Sequence, residues 1–355
     1  MQRQSNFLIN TQVAILSDEY LLVLTYKHIG YLQDCKKIVD SDNHPIVSII
    51  IPTFNRALLI LTCVQSALKQ SYPHKEILII DDGSTDETKE VLQPLISANQ
   101  VRYYFQENAG PSSARNVGIK QARGSFISFL DSDDFFHKDK ISREVQYFQD
   151  HPSISIVCSN VAYFTDELPQ SLKFKDTSFT PPIFDRLIRG NFLPTPSLLF
   201  RRQVFDSGLH FYESRRFHED WDLLLRVALK GFKFAHIPKV LCYCRTHQTN
   251  MTKSTIENAR GQLEVIKALA EELSPIEKKR FNIETHIRHK TFPLIAELLY
   301  YDHTNEAKRE LLNIHHRGRL PPTDLARYVF YLFLLLIPWR KILYARLYRN
   351  GIVKH

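Results

Sequence analysis

The chain has 355 residues, 44% of them hydrophobic and 24% charged, a balance that excludes wholesale disorder and leaves room for two or three domains. With 11 Gly and 17 Pro it is neither collagenous nor linker-like. The net charge of +8 is local: residues 276–355 hold 15 Lys/Arg against 7 Asp/Glu, so a basic C-terminal segment follows an electrically neutral body and points to an anionic partner.

Residues 1–44 read as a packing extension. The apolar run at 21–24 is too short to cross a bilayer, and no cationic start with a long apolar run marks a signal peptide. From Val47 the texture changes. Val47-Ser-Ile-Ile-Ile51 is a near-continuous apolar run of the buried parallel-strand type. Residues 57–70 carry apolar positions at helical spacing. A second strand over 76–80 runs into Asp81-Asp82-Gly83, and Ser84 or Thr85 is placed to cap a helix that reaches Leu95. A strand at 101–105, a helix at 112–122 and a strand at 125–130 follow. This alternation predicts an α/β layered sheet with parallel strands.

Beyond residue 150 the pattern loosens. Strands are expected near 154–158 and 197–200. An amphipathic helix opens at His218-Glu219-Asp220-Trp221-Asp222 and ends at Lys230-Gly231. Residues 255–320 read as helices with charged faces. Residues 328–337 are ten consecutive apolar or aromatic residues, followed by Pro338, Trp339, Arg340 and Lys341. That run is too short to span a membrane. Aromatics beside bases suit a helix over 325–349 lying among lipid headgroups, or one docked on the protein's own core or on a second copy. The same interleaving suits lipid better than a phosphate backbone, so no nucleic-acid partner is expected.

The five cysteines, Cys35, Cys63, Cys158, Cys242 and Cys244, are odd in number and irregularly spaced, which reads as reduced cytoplasmic thiols. Cys242 and Cys244 lack the second pair that a zinc site needs. Asn250-Met-Thr252 is a glycosylation sequon, which matters only in a secreted chain.

In parallel sheets ligands bind at the carboxyl ends of the strands. Here the first strand ends in Pro52-Thr53-Phe54-Asn55, the second in Asp81-Asp82 and the fourth in Asp131-Ser132-Asp133-Asp134. Three polar clusters at three strand ends converge on one crevice.

Four segments occur in order: Ile50-Ile-Pro-Thr-Phe-Asn-Arg56, Ile80-Asp-Asp-Gly-Ser-Thr-Asp86, Asn108-Ala-Gly-Pro-Ser-Ser-Ala-Arg-Asn-Val-Gly118 and Phe129-Leu-Asp-Ser-Asp-Asp134. With Glu219-Asp220 and Arg245-Thr-His247 behind them, they resemble the family 2 glycosyltransferases, inverting enzymes of the GT-A fold that use nucleotide-activated sugars. The resemblance covers about residues 46–250. It implies a mixed, mainly parallel sheet of about seven strands flanked by helices. The expected halves are a nucleotide-binding one at 45–135 and an acceptor one at 136–250, with a helical, basic extension over 251–355. It also implies a divalent cation, Mg2+ or Mn2+.

By resemblance, Pro52, Thr53 and Asn55 hold the nucleoside, and Asp82 reads a uracil-type ring with Asp81 as its rival. Asp131-Ser-Asp133 matches the D-x-D motif: Asp133 takes the metal and Asp131 the ribose or the metal shell, because a hard cation on carboxylate oxygens neutralises the departing diphosphate. Arg115 suits phosphate or a base carbonyl. His247 completes the metal or diphosphate shell. Asp220 is the base that removes the acceptor proton, with Glu219 as an acceptor-binding acid and Asp222 as an alternative; a helix start favours ionised acids in any case. Trp221 either stacks on a sugar or packs in the core. Thr195-Pro196-Ser197 falls where the acceptor half begins.

The function expected is metal-dependent inverting transfer of a sugar, most simply from a UDP-sugar, to a saccharide or lipid-linked glycan in surface polysaccharide synthesis. The setting expected is cytoplasmic, peripheral at the inner membrane face. A nucleotidyltransferase would open with a Gly-rich, basic phosphate loop, which Pro-Thr-Phe-Asn-Arg is not. A purely binding membrane-surface module would rest on the tail alone.

Overall fold

The computed structural model describes residues 44–165, 173–246, 255–316 and 320–337. The extension at 1–43, Cys35, His247, the sequon at Asn250 and the tail beyond residue 337 lie outside the described residues.

The elements run β1 (Val47–Thr53), α1 (Ile60–Leu68), β2 (Lys75–Asp81), α2 (Thr88–Ser97), β3 (Arg102–Phe105), α3 (Pro111–Gln121), β4 (Phe126–Phe129), β5 (Phe135–Phe136), α4 (Lys140–Asp150), β6 (Ile156–Phe164), β7 (Lys173–Lys175), α5 (Phe184–Leu187), a 3-10 turn (Thr195–Ser197), β8 (Leu198–Arg201), α6 (Gln203–Asp206), α7 (Glu219–Leu229) and β9 (Phe234–Arg245). Helices α8 (Thr255–Glu272), α9 (Pro275–Arg280), α10 (Ile283–Tyr300), α11 (Thr304–His316) and α12 (Pro322–Leu336) follow. The strands form one mixed sheet in the order β3-β2-β1-β4-β8-β6-β9-β5, with β7 on β6. Strands β3, β2, β1 and β4 are parallel neighbours, and β8 runs antiparallel to both β4 and β6. This is the expected α/β architecture. Among the described residues nine strands stand where seven or so were expected, because β5 is only two residues long and β7 and most of β9 carry no clear apolar pattern.

Successive residues of a strand point to opposite faces, and the core divides by that parity. Ile50, Leu78, Ile80, Ile127 and Phe129 join one apolar cluster. Val47, Ile49, Ile51, Ile77 and Ile79 join the other, where α1, α2 and α4 supply Cys63, Val64, Leu92, Val145 and Phe148. Both faces are covered, so β1 is buried along its whole length. Each such Ile contributes about 2 kcal/mol by burial. Helix α3 approaches β1 so closely at Gly118 that a Cβ there would lie 2.3 Å from Ile50 Cγ2; no other residue fits without moving the helix.

The first cluster continues without a break through α7, α8, α10, α11 and α12 as far as Ile337. The helices after residue 250 therefore share a core with the sheet. Helix α12 is fixed to α10 by a buried ion pair, Arg288 Nε to Asp324 Oδ2 at 2.9 Å. Its outward side carries Leu325, Val329, Leu332, Phe333 and Leu336, all exposed. No described helix is long and apolar enough to cross a membrane.

Candidate active site

The loops after β1 and β2 brace each other. Asn55 adopts a left-handed backbone, φ +52°, which Asn tolerates better than most residues. Its N–H donates to Ser84 Oγ (2.9 Å), and its side-chain oxygen accepts from Thr85 N (2.8 Å). Asp86 accepts from Ala57 N and Thr88 N, both at 3.1 Å. Asp86, not Ser84 or Thr85, thus serves the start of α2. Asn55 shapes the loop through its side chain, while Pro52 and Thr53 are buried at the end of β1. Thr53 Oγ1 is buried and has no hydrogen-bond partner among the described residues.

The two acids at the end of β2, Asp81 and Asp82, separate cleanly. Asp81 is consumed by its surroundings, accepting from Ser84 N (2.8 Å) and Tyr103 OH (2.5 Å). Asp82 accepts from Gln106 Nε2 (2.7 Å), Ala109 N (2.9 Å) and Gly110 N (2.8 Å), at the start of α3. A carboxylate offers about four lone-pair sites, so Asp82 keeps one for a ligand N–H. Gly83, at φ +85°, lets the Asn108 backbone approach; a Cβ there would meet Asn108 N at 2.9 Å.

Past β4, Asp134 N closes a turn on Asp131 O at 2.9 Å. Asp134 points inward and accepts from Arg245 N at 2.8 Å. Burial, reinforced by Asp131 and Asp133, holds its carboxyl well above the usual range. Asp131 is partly exposed and bonded to Arg115. Burial and Asp133 push it up against the opposing pull of Arg115. Acids this close favour a bound cation. Oxygen donors from one or two carboxylates, completed by water and phosphate, are the set that Mg2+-like ions accept, so Asp133 and Asp131 fit such an ion. No group of three His, Cys, Asp or Glu forms a closed metal site among the described residues.

Three acids occupy the first turn of α7, and each has a different fate. Asp222 is buried between Arg215 (3.2 Å) and Arg226 (2.7 Å). Glu219 pairs with Arg115 at 2.8 Å. Asp220 takes neutral donors: Asn191 Nδ2 (2.8 Å), Thr195 Oγ1 (3.4 Å) and Trp221 N (2.7 Å). Burial first, then the charge of Glu219, pushes Asp220 up to about 7, with Arg115 opposing. Trp221 is core, 1% exposed, its indole N–H on Leu187 O at 2.7 Å. His218 anchors α8 through Asn258 Oδ1 at 2.6 Å.

Arg115 joins the two sides. It lies on α3, 6% exposed, with one nitrogen on Asp131 (2.9 Å) and another on Glu219 (2.8 Å). A helix rises about 1.5 Å per residue, so Asp82, at Gly110, sits roughly 7 Å along α3 from Arg115. Asp82, the D-x-D turn and Asp220 therefore gather around the N-terminal half of α3. Asn191 belongs to this site too. It follows a loop glycine and carries no sequence signal of its own.

Residues 48–209 match the family model of Glycosyl transferase family 2. The chain is 34% identical over 189 residues to an uncharacterized glycosyltransferase of Rickettsia felis, covering 52% of this chain but 30% of that protein. It is 40% identical over 186 residues to an uncharacterized glycosyltransferase of Haemophilus influenzae, covering 52% of this chain and 72% of that one. It is 30% identical over 243 residues to the chondroitin synthase of Escherichia coli, covering 67% and 34%. Among solved structures, S. aureus TarS 1-349 in complex with UDP-GlcNAc aligns with TM-score 0.51 at 18% identity, over 83% of this chain and 82% of that one. The mannosyltransferase PcManGT of Pyrobaculum calidifontis, in complex with GDP-Man and Mn2+, aligns with TM-score 0.52 at 18% identity, over 87% and 86%. The sheet is thus that of the GT-A glycosyltransferases, and the chain belongs to glycosyl transferase family 2.

Proposed function

We propose that the chain is a metal-dependent, inverting glycosyltransferase. It moves a sugar from a UDP-sugar to a hydroxyl of a saccharide or lipid-linked glycan, in surface polysaccharide synthesis. One observation carries this reading: of the three acids at the start of α7, Asp220 is the one that makes no ion pair among the described residues, and it is poised at about 7. A carboxylate so tuned suits general-base work near neutrality.

Asp220 accepts the proton of the acceptor hydroxyl, with Asn191 and Thr195 orienting its carboxylate. The acceptor oxygen forms a bond to the anomeric carbon from one face. On the other face the bond to the nucleotide breaks, and its electron pair leaves with the diphosphate. The last lone pair of Asp82 suits the N–H of a uracil ring. Arg115 holds Asp131 and Glu219 in place from one guanidinium. Asp133 and Asp131 would hold a divalent cation, and His247, outside the described residues, remains a candidate for the same shell. When bound, that cation supplies charge neutralisation at the departing diphosphate. The UDP-GlcNAc of one structural neighbour and the Mn2+ of the other support the donor class and the metal. The chondroitin synthase relative supports the polysaccharide setting.

Titration of UDP with and without Mn2+ tests the donor side. Mn2+ should tighten UDP binding to the wild-type chain and leave Asp133→Ala unaffected. Equal affinity with and without Mn2+, or transfer that persists in a chelator, overturns metal dependence.

The same reading places the enzyme on the cytoplasmic side, peripheral to an anionic membrane. Its described cysteines are free thiols. The exposed residues of α12 recur at i, i+4, i+7, i+8 and i+11, one helix face, and Trp339, Arg340 and Lys341 follow in sequence. An apolar face beside bases complements anionic headgroups.

A further inference from the structure

Asp220 is oriented by its neighbours Trp221 and Asn191, and a cation from the C-terminal helices bears on both sides of that arrangement. Lys290 of α10 sets its ammonium 5.0 Å from the centre of the Trp221 ring. The same nitrogen lies 3.8 Å from where a Cβ on Gly190 would stand; apart from the chain neighbours of Gly190, no other described atom comes within 4 Å of that point. Gly190 precedes Asn191, whose side chain donates to Asp220 and accepts from Leu193 N at 3.0 Å. Trp221 follows Asp220 and gives it a backbone N–H.

Lys290 is half-buried and makes no ion pair among the described residues. Its hydrogen bond goes to a neutral oxygen, Gln262 Oε1 of α8, at 2.9 Å, one of the three bonds an ammonium can donate. Burial lowers its pKa to about 8, so it is still charged at pH 7. A half-buried charge needs a compensating contact, and the face of an indole is the best that an aromatic ring offers to a cation. Leu187 O pins the indole at its N–H edge, while Lys290 bears on its face. Helix α8, which steers Lys290 through Gln262, is itself set against the residues leading into α7. A Cβ on Gly261 would lie 2.8 Å from Phe217 Cβ.

We propose that Lys290 is a positioning residue of the reaction: bearing on Trp221 and on Gly190, it fixes the two groups that orient Asp220, so that α8 and α10 complete the catalytic site. This assignment rests on Asp220 being the acceptor-side base. It adds to that reading a residue from outside the sheet region.

Kinetics of the full chain test it, in a Trp339→Phe background that leaves Trp221 as the single tryptophan. The rate is UDP release from a panel of UDP-hexoses and UDP-N-acetylhexosamines, with water as acceptor where no sugar serves. Lys290→Met should lower kcat by about 10–100-fold, the loss that misplacing a reacting group by about 1 Å brings, with the donor KM little changed. Lys290→Arg should restore most of kcat, because a guanidinium also binds an indole face. Trp221 emission should shift in Lys290→Met and return in Lys290→Arg. If Lys290 acts through Asp220, adding Lys290→Met to Asp220→Asn should cost less than about threefold more. Equal losses in the two backgrounds, full activity in Lys290→Met, or Trp221 emission that Lys290→Met leaves unmoved overturns the proposal. If Asp220→Asn alone keeps full transfer, the base reading fails and takes the role of Lys290 with it. If Asp220→Asn loses transfer and the two losses multiply, only the role of Lys290 fails.

Discussion

The sheet region and the helices after residue 255 share one core and both bury charge, the helices in the Arg288–Asp324 pair, yet they use their surfaces differently. In the sheet region, charge is drawn inward: Arg115, Asp134, Asp222 and Arg226 are all at most 6% exposed. In α12 apolar groups are turned outward, and Leu336 is 82% exposed. Neither choice helps a fold by itself. Buried charges are costly unless paired, and a contiguous apolar face on the outside marks a docking surface. The first region therefore advertises chemistry and the second a partner. Substitutions that undo each choice should have different consequences.

The largest effect is expected at Asp220. Removing general-base help with Asp220→Asn should lower turnover by about 10²–10⁴-fold, with UDP affinity retained. In the wild-type chain the base works only when ionised. With Asp220 at about 7, turnover should rise about tenfold per pH unit below that value and level off above it. The same group opposes folding as it ionises. Its folded value lies above the ordinary 3.8, so the native state holds a proton that the unfolded chain has released. Its contribution to stability falls as pH rises from about 4 to about 7. Stability relative to Asp220→Asn should then shift in the variant's favour over that interval. A turnover profile without an inflection near 7 would remove Asp220 from the role.

Next in size is Arg115. Arg115→Met leaves Asp131 and Glu219 facing each other without the cation between them. Breaking a buried pair costs about 3–5 kcal/mol, and the partial exposure of Asp131 puts about 3 kcal/mol as the expected loss in urea unfolding. Arg115→Lys should restore only part of it, because one ammonium cannot reproduce two separate nitrogen contacts. A loss below about 1 kcal/mol would mean the pair behaves as an exposed one.

These residues also mark how far the sequence can be read. Strands β1, β2 and β4 were legible because strands buried on both faces become unbroken apolar runs, and the polar residues that end them make up the candidate site. The acids of α7 were legible as a group but not as individuals. Glu219 is fixed by Arg115, 104 positions earlier, while Asp222 is fixed by Arg215 and Arg226; which acid makes no ion pair among the described residues is decided by tertiary structure alone. Strand β7, Lys-Phe-Lys, hides because charge masks an edge strand. Trp221 could not be sorted between sugar and core until Leu187 O was seen on its indole N–H. Asp86 took the place expected of Ser84 or Thr85 because the loop after β1 reaches across to it.

The smallest effect on catalysis, and the sharpest test of the second region, is on α12. Leu332 and Phe333 lie on its exposed face and take no part in the contacts around Asp220. The pair Leu332→Asp and Phe333→Asp should leave transfer to a water-soluble acceptor nearly unchanged. Each large side chain withdrawn from an apolar surface forfeits about 1.5–3 kcal/mol, so partition onto phosphatidylglycerol vesicles should fall by at least about tenfold. Neutral phosphatidylcholine vesicles should bind the wild-type chain more weakly, and salt should weaken the anionic case further. If vesicle binding is absent in the wild type and sedimentation instead shows a dimer that the double substitution splits, the face belongs to a second copy. The contrast between inward charge and outward apolar surface would then mark a subunit contact rather than a membrane.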